Sequence, residues 1–149
     1  MIKQLLDLTN YATDTRVARR TGSKSTQEFF TPYSIVKRMC DKIHDEDWAD
    51  KEKTWLEPCM GDGNFICYII WNRIQHGIDW HTALKTLYGL ELMHDNVLEC
   101  HDRVIDLLTK LCIDFDEQTA RKIMEKNLVC ADFFNWDFEH WKYIDDKKQ

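Results

Sequence analysis

A chain of 149 residues, 44% apolar and 31% charged, has the material for one hydrophobic core and the balance of an ordinary globular domain. Its formal charge of −6 argues against a surface coated for nucleic acid, and no apolar run reaches the roughly 18 residues of a membrane span, so no membrane partner is expected. The cysteines (Cys40, Cys59, Cys67, Cys100, Cys112 and Cys130) form no CxxC, which argues against a zinc or other metal site; with no signal-peptide stretch at the start, free thiols in a cytoplasmic protein are expected.

Residues 1–28 read as a short helix followed by a flexible basic arm. Ile2, Leu5, Leu6 and Leu8 share a helical spacing, and residues 16–28 are polar. Arg16, Arg19, Arg20 and Lys24 lie in an acid-free window. Such a patch is either a solvated arm or one that contacts phosphates, which makes DNA a candidate partner. From residue 29 to 149 a single domain is expected.

Phe29-Phe30-Thr31-Pro32 opens the next helix, with Thr31 as its cap and Pro32 at its first position, where a missing N–H costs nothing. Ile35, Val36, Met39 and Ile43 form its apolar stripe. Asp45 to Lys53 reads as a charged linker carrying Trp48. Then Trp55-Leu56-Glu57-Pro58-Cys59-Met60-Gly61-Asp62-Gly63-Asn64-Phe65 reads as a strand end, a glycine loop and a helix start, the helix burying Ile66, Ile69, Ile70 and Ile74. Gly61 and Gly63, lacking Cβ, permit a sharp turn and would let a ligand lie against bare backbone. A helix or loop around Ile78 to Ala83 precedes a second strand, Leu87 to Glu91. A helix from Asp95 to Leu111 turns Val97, Leu98, Val104, Ile105 and Leu108 inward. A short helix, Glu117 to Glu125, leads to a third strand, Asn127 to Ala131, ending at Asp132. Strands alternating with helices imply a parallel sheet with right-handed crossovers. Beyond Asp132, Phe133, Phe134, Trp136, Phe138, Trp141 and Tyr143 crowd together without strand or helix period.

Three acids therefore stand where strands end: Glu57, Glu91 and Asp132. Ligands of open α/β sheets bind at that edge, and an acid ending the second strand is placed to accept hydrogen bonds from ribose hydroxyls. Glu91 follows Glu57 by 34 positions, more than the interval of about 20 in dinucleotide folds, and the segment around Ile78 to Ala83 absorbs the excess.

In this order, Phe29-Phe30-Thr31-Pro32, Glu57-Pro58-Cys59-Met60-Gly61-Asp62-Gly63, Gly89-Leu90-Glu91 and Ala131-Asp132-Phe133 resemble the amino-terminal half of an adenine-N6 DNA methyltransferase. The likeness is to the modification subunits of type I restriction systems, which read FxTP and then (D/E)PxxGxG, and it covers roughly residues 26–138. The resemblance implies a truncated, three-layer, Rossmann-like fold with a mainly parallel sheet and S-adenosylmethionine as cofactor. It implies that Phe30, Thr31 and Pro32 flank the methionine end, that Glu57 and Pro58 lie by the amino group, and that Met60, Gly61, Gly63, Asn64 and Phe65 form the loop. Glu91 would hold the ribose with Leu92 beside it, and Asp132 and Phe133 would meet the adenine.

The chain departs from the family in one respect. Catalysis there uses an (N/D)PP(Y/F) motif on the fourth strand, which grips the flipped base. Here the prolines are Pro32 and Pro58, neither in such a motif, and Lys142-Tyr143-Ile144-Asp145 resembles only the approach to that strand. Catalytic residues are thus unassigned. The readings are an adenine methyltransferase, or a part of one whose partner chain supplies the acceptor site; a non-catalytic protein that regulates or inhibits a methyltransferase or restriction complex; and an RNA or small-molecule methyltransferase. Without a fourth strand the first becomes a sheet edge. Either the aromatic tail folds back over it or the chain self-associates, a two-fold dimer being the simplest form.

Overall fold

Three short strands and six helices alternate in a parallel α/β arrangement, in a computed structural model that describes residues 30–111 and 113–144. The basic arm, with Arg16, Arg19, Arg20 and Lys24, lies outside the described residues.

Helix α1 (Tyr33–Cys40) begins one residue later than its sequence suggests. Pro32 is the cap, its carbonyl accepting from the Ile35 and Val36 amides at 2.9 and 3.1 Å, while the Thr31 carbonyl turns to the Asn64 side chain. The helix buries Val36 and Cys40, one turn apart, whereas Ile35 and Met39 face outward at 38% and 54% exposure. The apolar stripe is narrower than expected because a two-turn helix meets its neighbour along a single seam.

The expected linker contains a helix, α2 (Asp45–Ala49). Asp45, Glu46 and Asp47 crowd its first turn, where the exposed amides favour negative charge. The helix serves to bury Trp48, which stacks on Trp55 with ring centroids 4.4 Å apart. Strand β1 (Trp55–Glu57), the glycine loop and helix α3 (Asn64–Gln75) follow as expected. Arg73 of α3 is fully buried: it donates to the Asp50 carbonyl at 2.8 Å and to the Thr86 hydroxyl, and its guanidinium lies 5.7 Å from the centre of the Trp55 ring. One cation thereby ties together the segments that enter β1 and β2.

Helix α4 (Trp80–Lys85), capped by Asp79 accepting from the Thr82 amide at 2.9 Å, takes up the extra length before β2 (Leu87–Glu91). Helix α5 (His94–Lys110) buries Val97, Cys100, His101, Val104, Ile105 and Leu108. Leu98, expected inside, is 51% exposed, because α5 rests on the sheet through the flank opposite it. Helix α6 (Glu117–Asn127) and β3 (Leu128–Cys130) complete the sheet.

The strands lie parallel in the order β1-β2-β3, Leu56 beside Tyr88 and Leu90 beside Val129. Side chains alternate between faces. Leu87 and Leu128 face the helices, where the missing Cβ of Gly89 leaves room for Met60 and Ile66. Tyr88, Leu90 and Val129 face the other way and meet the aromatic tail. That tail forms a 3-10 turn (Phe133–Asn135) and a two-stranded hairpin, β4 (Trp136–Asp137) and β5 (Lys142–Tyr143). So the tail folds back on its own chain, and among the described residues the third layer is this hairpin and not a second set of helices. Among the described residues no helix is long and apolar enough to cross a membrane.

The two edges of the sheet differ. Outward-facing residues of β3 are Leu128 and Cys130, since Ala131 donates inward to Glu91. The Leu128 carbonyl accepts from His101 Nε2 at 3.0 Å and the Cys130 carbonyl from the Tyr143 hydroxyl at 3.0 Å. In β1, Trp55 bonds inward to Thr86, so Leu56 turns its amide and carbonyl outward, and its side chain is 50% exposed.

Candidate functional site

The strand-end acids share one local geometry. Glu57 Oε1 accepts from the Cys59 amide at 3.0 Å, Glu91 Oε1 from the Met93 amide at 2.9 Å, and Asp132 Oδ1 from the Phe134 amide at 3.0 Å. Each carboxylate thus pins the chain as it turns out of the sheet; Asp132 does so in the way short polar side chains at turns commonly do, and the two glutamates make the same i to i+2 contact with a longer reach. At Glu57 and Glu91 the second oxygen has no hydrogen-bond partner among the described residues. At Asp132 it has one, since Oδ2 accepts from Asn135 Nδ2 at 2.9 Å.

Glu57 and Glu91 stand on adjacent strands, two residues out of register, and both lie close enough to Cys59 for their charge to help burial hold its thiol above the ordinary value. Burial likewise holds the Glu57 carboxyl above its ordinary value, opposed only by the Cys59 amide. A half-buried carboxylate in that state is stabilised by an arriving cation. Leu92, beside Glu91, is 65% exposed and offers an apolar surface at the same rim.

The glycine loop differs from expectation. Gly61 and Gly63 do take left-handed conformations, φ +54° and +101°, as a sharp turn requires. But a Cβ on Gly61 would lie 3.2 Å from the Phe30 ring, and one on Gly63 only 2.7 Å from Cys100 Sγ. The bare backbone is covered by the protein itself. Phe30 and Met60 are buried, Met60 against Gly89 in the core; Phe65 packs at the core's margin. These positions shape the loop from within and do not line its outer surface.

Sequence reasoning missed the latch that holds this loop. Arg103 of α5 donates to the Asp62 carbonyl at 2.7 Å and to Asn64 Oδ1 at 2.8 Å, and its Nη1 lies 3.1 Å from Asp62 Oδ1 as an ion pair. Asn64 Nδ2 in turn donates to the Thr31 carbonyl at 2.8 Å. The loop, α5 and the Phe30-Thr31-Pro32 segment are thereby joined. A pairing between residues 41 apart leaves no local signal in a single sequence.

The structure therefore brings Phe30, Thr31, Gly61, Gly63 and Asn64 together around the loop and sets Glu57 and Glu91 beside it. Asp132 and Phe133 lie beyond β3, where Phe133 packs on Phe138 of the hairpin, ring centroids 5.0 Å apart. Two cavities lie elsewhere. One of about 550 Å³ opens at the β3 side and is lined by Leu98, Asp102, Arg121, Glu125, Trp136 and Tyr143, among others. One of about 340 Å³ lies between the β1 edge and the hairpin, lined by Thr54, Trp55, Leu56, Tyr88, Phe138 and Trp141 with Glu139. Neither includes a strand-end acid. Among the described residues no group of three or more His, Cys, Asp or Glu is placed to hold a metal ion. No family model, curated protein or solved structure matches the chain.

Proposed function

We propose that this chain binds S-adenosylmethionine at the carboxyl edge of its sheet, as the cofactor-binding part of a Rossmann-like adenine-N6 DNA methyltransferase whose acceptor site comes from a partner chain. The observation that carries the reading is the pair Glu57 and Glu91 on adjacent strands at the carboxyl edge, each with one oxygen committed to its own turn and, among the described residues, none to another side chain. A cofactor with an ammonium, a sulfonium and a ribose diol suits two such acids: Glu57 takes the ammonium in a charge-assisted contact and Glu91 the two hydroxyls. Leu92 packs against the adenine, and Thr31, held through Asn64, borders the methionine end. When bound, the cofactor supplies an electrophilic methyl group; this chain's residues orient it. Asp132 enters the site only by releasing Asn135, so it is the weakest member.

Calorimetric titration with S-adenosylmethionine tests the reading. Saturable binding is expected, with Glu91→Ala weakening it by about 1.5–3 kcal/mol through loss of hydrogen bonds to a charged acceptor. An unchanged affinity removes Glu91 from the site, and no heat with the wild type removes the cofactor. A methyl-transfer assay on DNA, with and without candidate partner chains, then separates the enzyme from the second reading, a non-catalytic regulator of a methyltransferase or restriction complex. The hairpin packed on Tyr88 and Leu90 supports that second reading, because it already gives the chain a closed third layer of its own.

A further inference from the structure

We infer that the outer edge of β1 is a two-fold interface at which a second copy of this chain adds its own β1 in antiparallel register, centred on Leu56. The inference does not rest on the cofactor reading, with which it shares Glu57 alone.

It starts from the contrast between the sheet's edges. At β3 both outward carbonyls are taken, by His101 and Tyr143. At β1 the outward residue, Leu56, has a half-exposed side chain and turns its amide and carbonyl away from β2. The hairpin stops short of this edge, and the cavity of about 340 Å³ opens there, walled by Tyr88, Phe138 and Trp141. Unpaired backbone beside an aromatic wall is what an added strand needs: hydrogen bonds along the edge and a place for one apolar side chain.

The occupant follows from register and charge. In an antiparallel pair, opposite residues that face outward exchange both hydrogen bonds. Placing Leu56 on the two-fold axis lets each copy's Leu56 amide donate to the other's carbonyl, and sets the two leucine side chains together between the aromatic walls. Trp55 and Glu57 share the opposite face, and Lys53, just before the strand, reaches Asp47 of α2, the helix whose Trp48 stacks on that face; in this register Glu57 comes diagonal to the partner's Lys53, within reach of a long side chain. The same contact repeats by symmetry. Lys53 is exposed and already bridges to Asp47, while Glu57 is half-buried with the Cys59 amide as its hydrogen-bond donor among the described residues. An edge whose own ends are opposite in charge about its centre is self-complementary only in the antiparallel sense. Pro58, with no N–H to give, ends the pairing.

Sedimentation of the full chain over a concentration series is expected to show a reversible monomer–dimer equilibrium. Leu56→Pro removes the outward N–H and the half-exposed leucine side chain at an edge position that tolerates proline, so the monomer keeps its circular dichroism while the dimer is lost. Lys53→Glu and Glu57→Lys each set like charges together and should weaken the dimer about tenfold, and the double swap should restore it. A chain that stays monomeric throughout the series overturns the inference, whatever other strand the edge takes. So does a dimer untouched by a folded Leu56→Pro, and so does a double swap no better than its parents, which decides the matter even if the proline variant fails to fold. Cofactor titration of Lys53→Glu runs separately, since that residue has no part in the proposed cofactor site.

Discussion

At Gly63 the backbone takes φ +101° and the absent Cβ faces Cys100 Sγ at 2.7 Å, so two constraints meet at one atom. Left-handed strain and overpacking of a helix contact each cost about 1–3 kcal/mol. Gly63→Ala is expected to lower stability by roughly 2–6 kcal/mol in denaturant unfolding, and Cys100→Ala in that background to restore only the packing share. Glycine pairs in a loop signal a turn, and that much was legible; that the space beneath them belongs to Phe30 and Cys100 was not, because those residues come from elsewhere in the chain. Glu57 carries a pH prediction. Burial raises its carboxyl above the ordinary 4.5, so the folded chain holds that proton more firmly than the unfolded chain. Its contribution to stability is therefore full below 4.5 and is lost as pH rises through the folded value. An ammonium ligand needs the ionised form, so cofactor affinity should rise over the same window. Melting and titration series from acid to neutral pH should show both slopes, and Glu57→Gln should flatten both.

Among the elements, those with strong periodicity were read correctly in kind: three strands, the long α3 and α5, and the helix before β3. Helix α2 and the hairpin were not. Helix α2 has five residues, too few for a period to show, and exists to deliver Trp48 onto Trp55. The hairpin has two-residue strands held by side chains: Trp141 Nε1 donates to the Lys126 carbonyl at 2.8 Å, and Tyr143 to Cys130. Six crowded aromatics announced a packed surface without announcing its shape. The β3 edge gives a prediction at this scale. His101 is buried with Nε2 on the Leu128 carbonyl, and burial holds its imidazole below the ordinary 6.5. The folded chain thus resists a proton that the unfolded chain accepts. Stability from this group is present above 6.5 and is lost as pH falls from there through the lower folded value. His101→Gln, which keeps an N–H donor, should remove that part of the slope when melting temperature is followed between neutral and mildly acid pH.

In the whole molecule, the order of elements along the chain and the parallel sheet could be read from alternating strand and helix patterns, whereas the ties between distant segments could not. Arg73 and Arg103 hold four connections in place, and each looks in sequence like one more charged residue on a helix. The candidate site inherits this division: the places of Glu57 and Glu91 at strand ends were legible, while the pairing of Asp62 with Arg103, which holds the loop beside them, was not. The position of the hairpin has a consequence for how the chain is made. The face formed by Tyr88, Leu90 and Val129 is complete once Cys130 has been added, but its cover ends only with Tyr143. At ribosomal speeds of about 5–20 residues per second, that stretch alone takes on the order of one to three seconds, and it must also clear the exit tunnel. Between the emergence of β3 and that of Tyr143 from the tunnel, the face of Tyr88, Leu90 and Val129 would lack its cover and the Cys130 carbonyl its hydroxyl partner. Slow codons placed between the two would prolong the exposure, and a chaperone waiting at the tunnel mouth would find its binding site there.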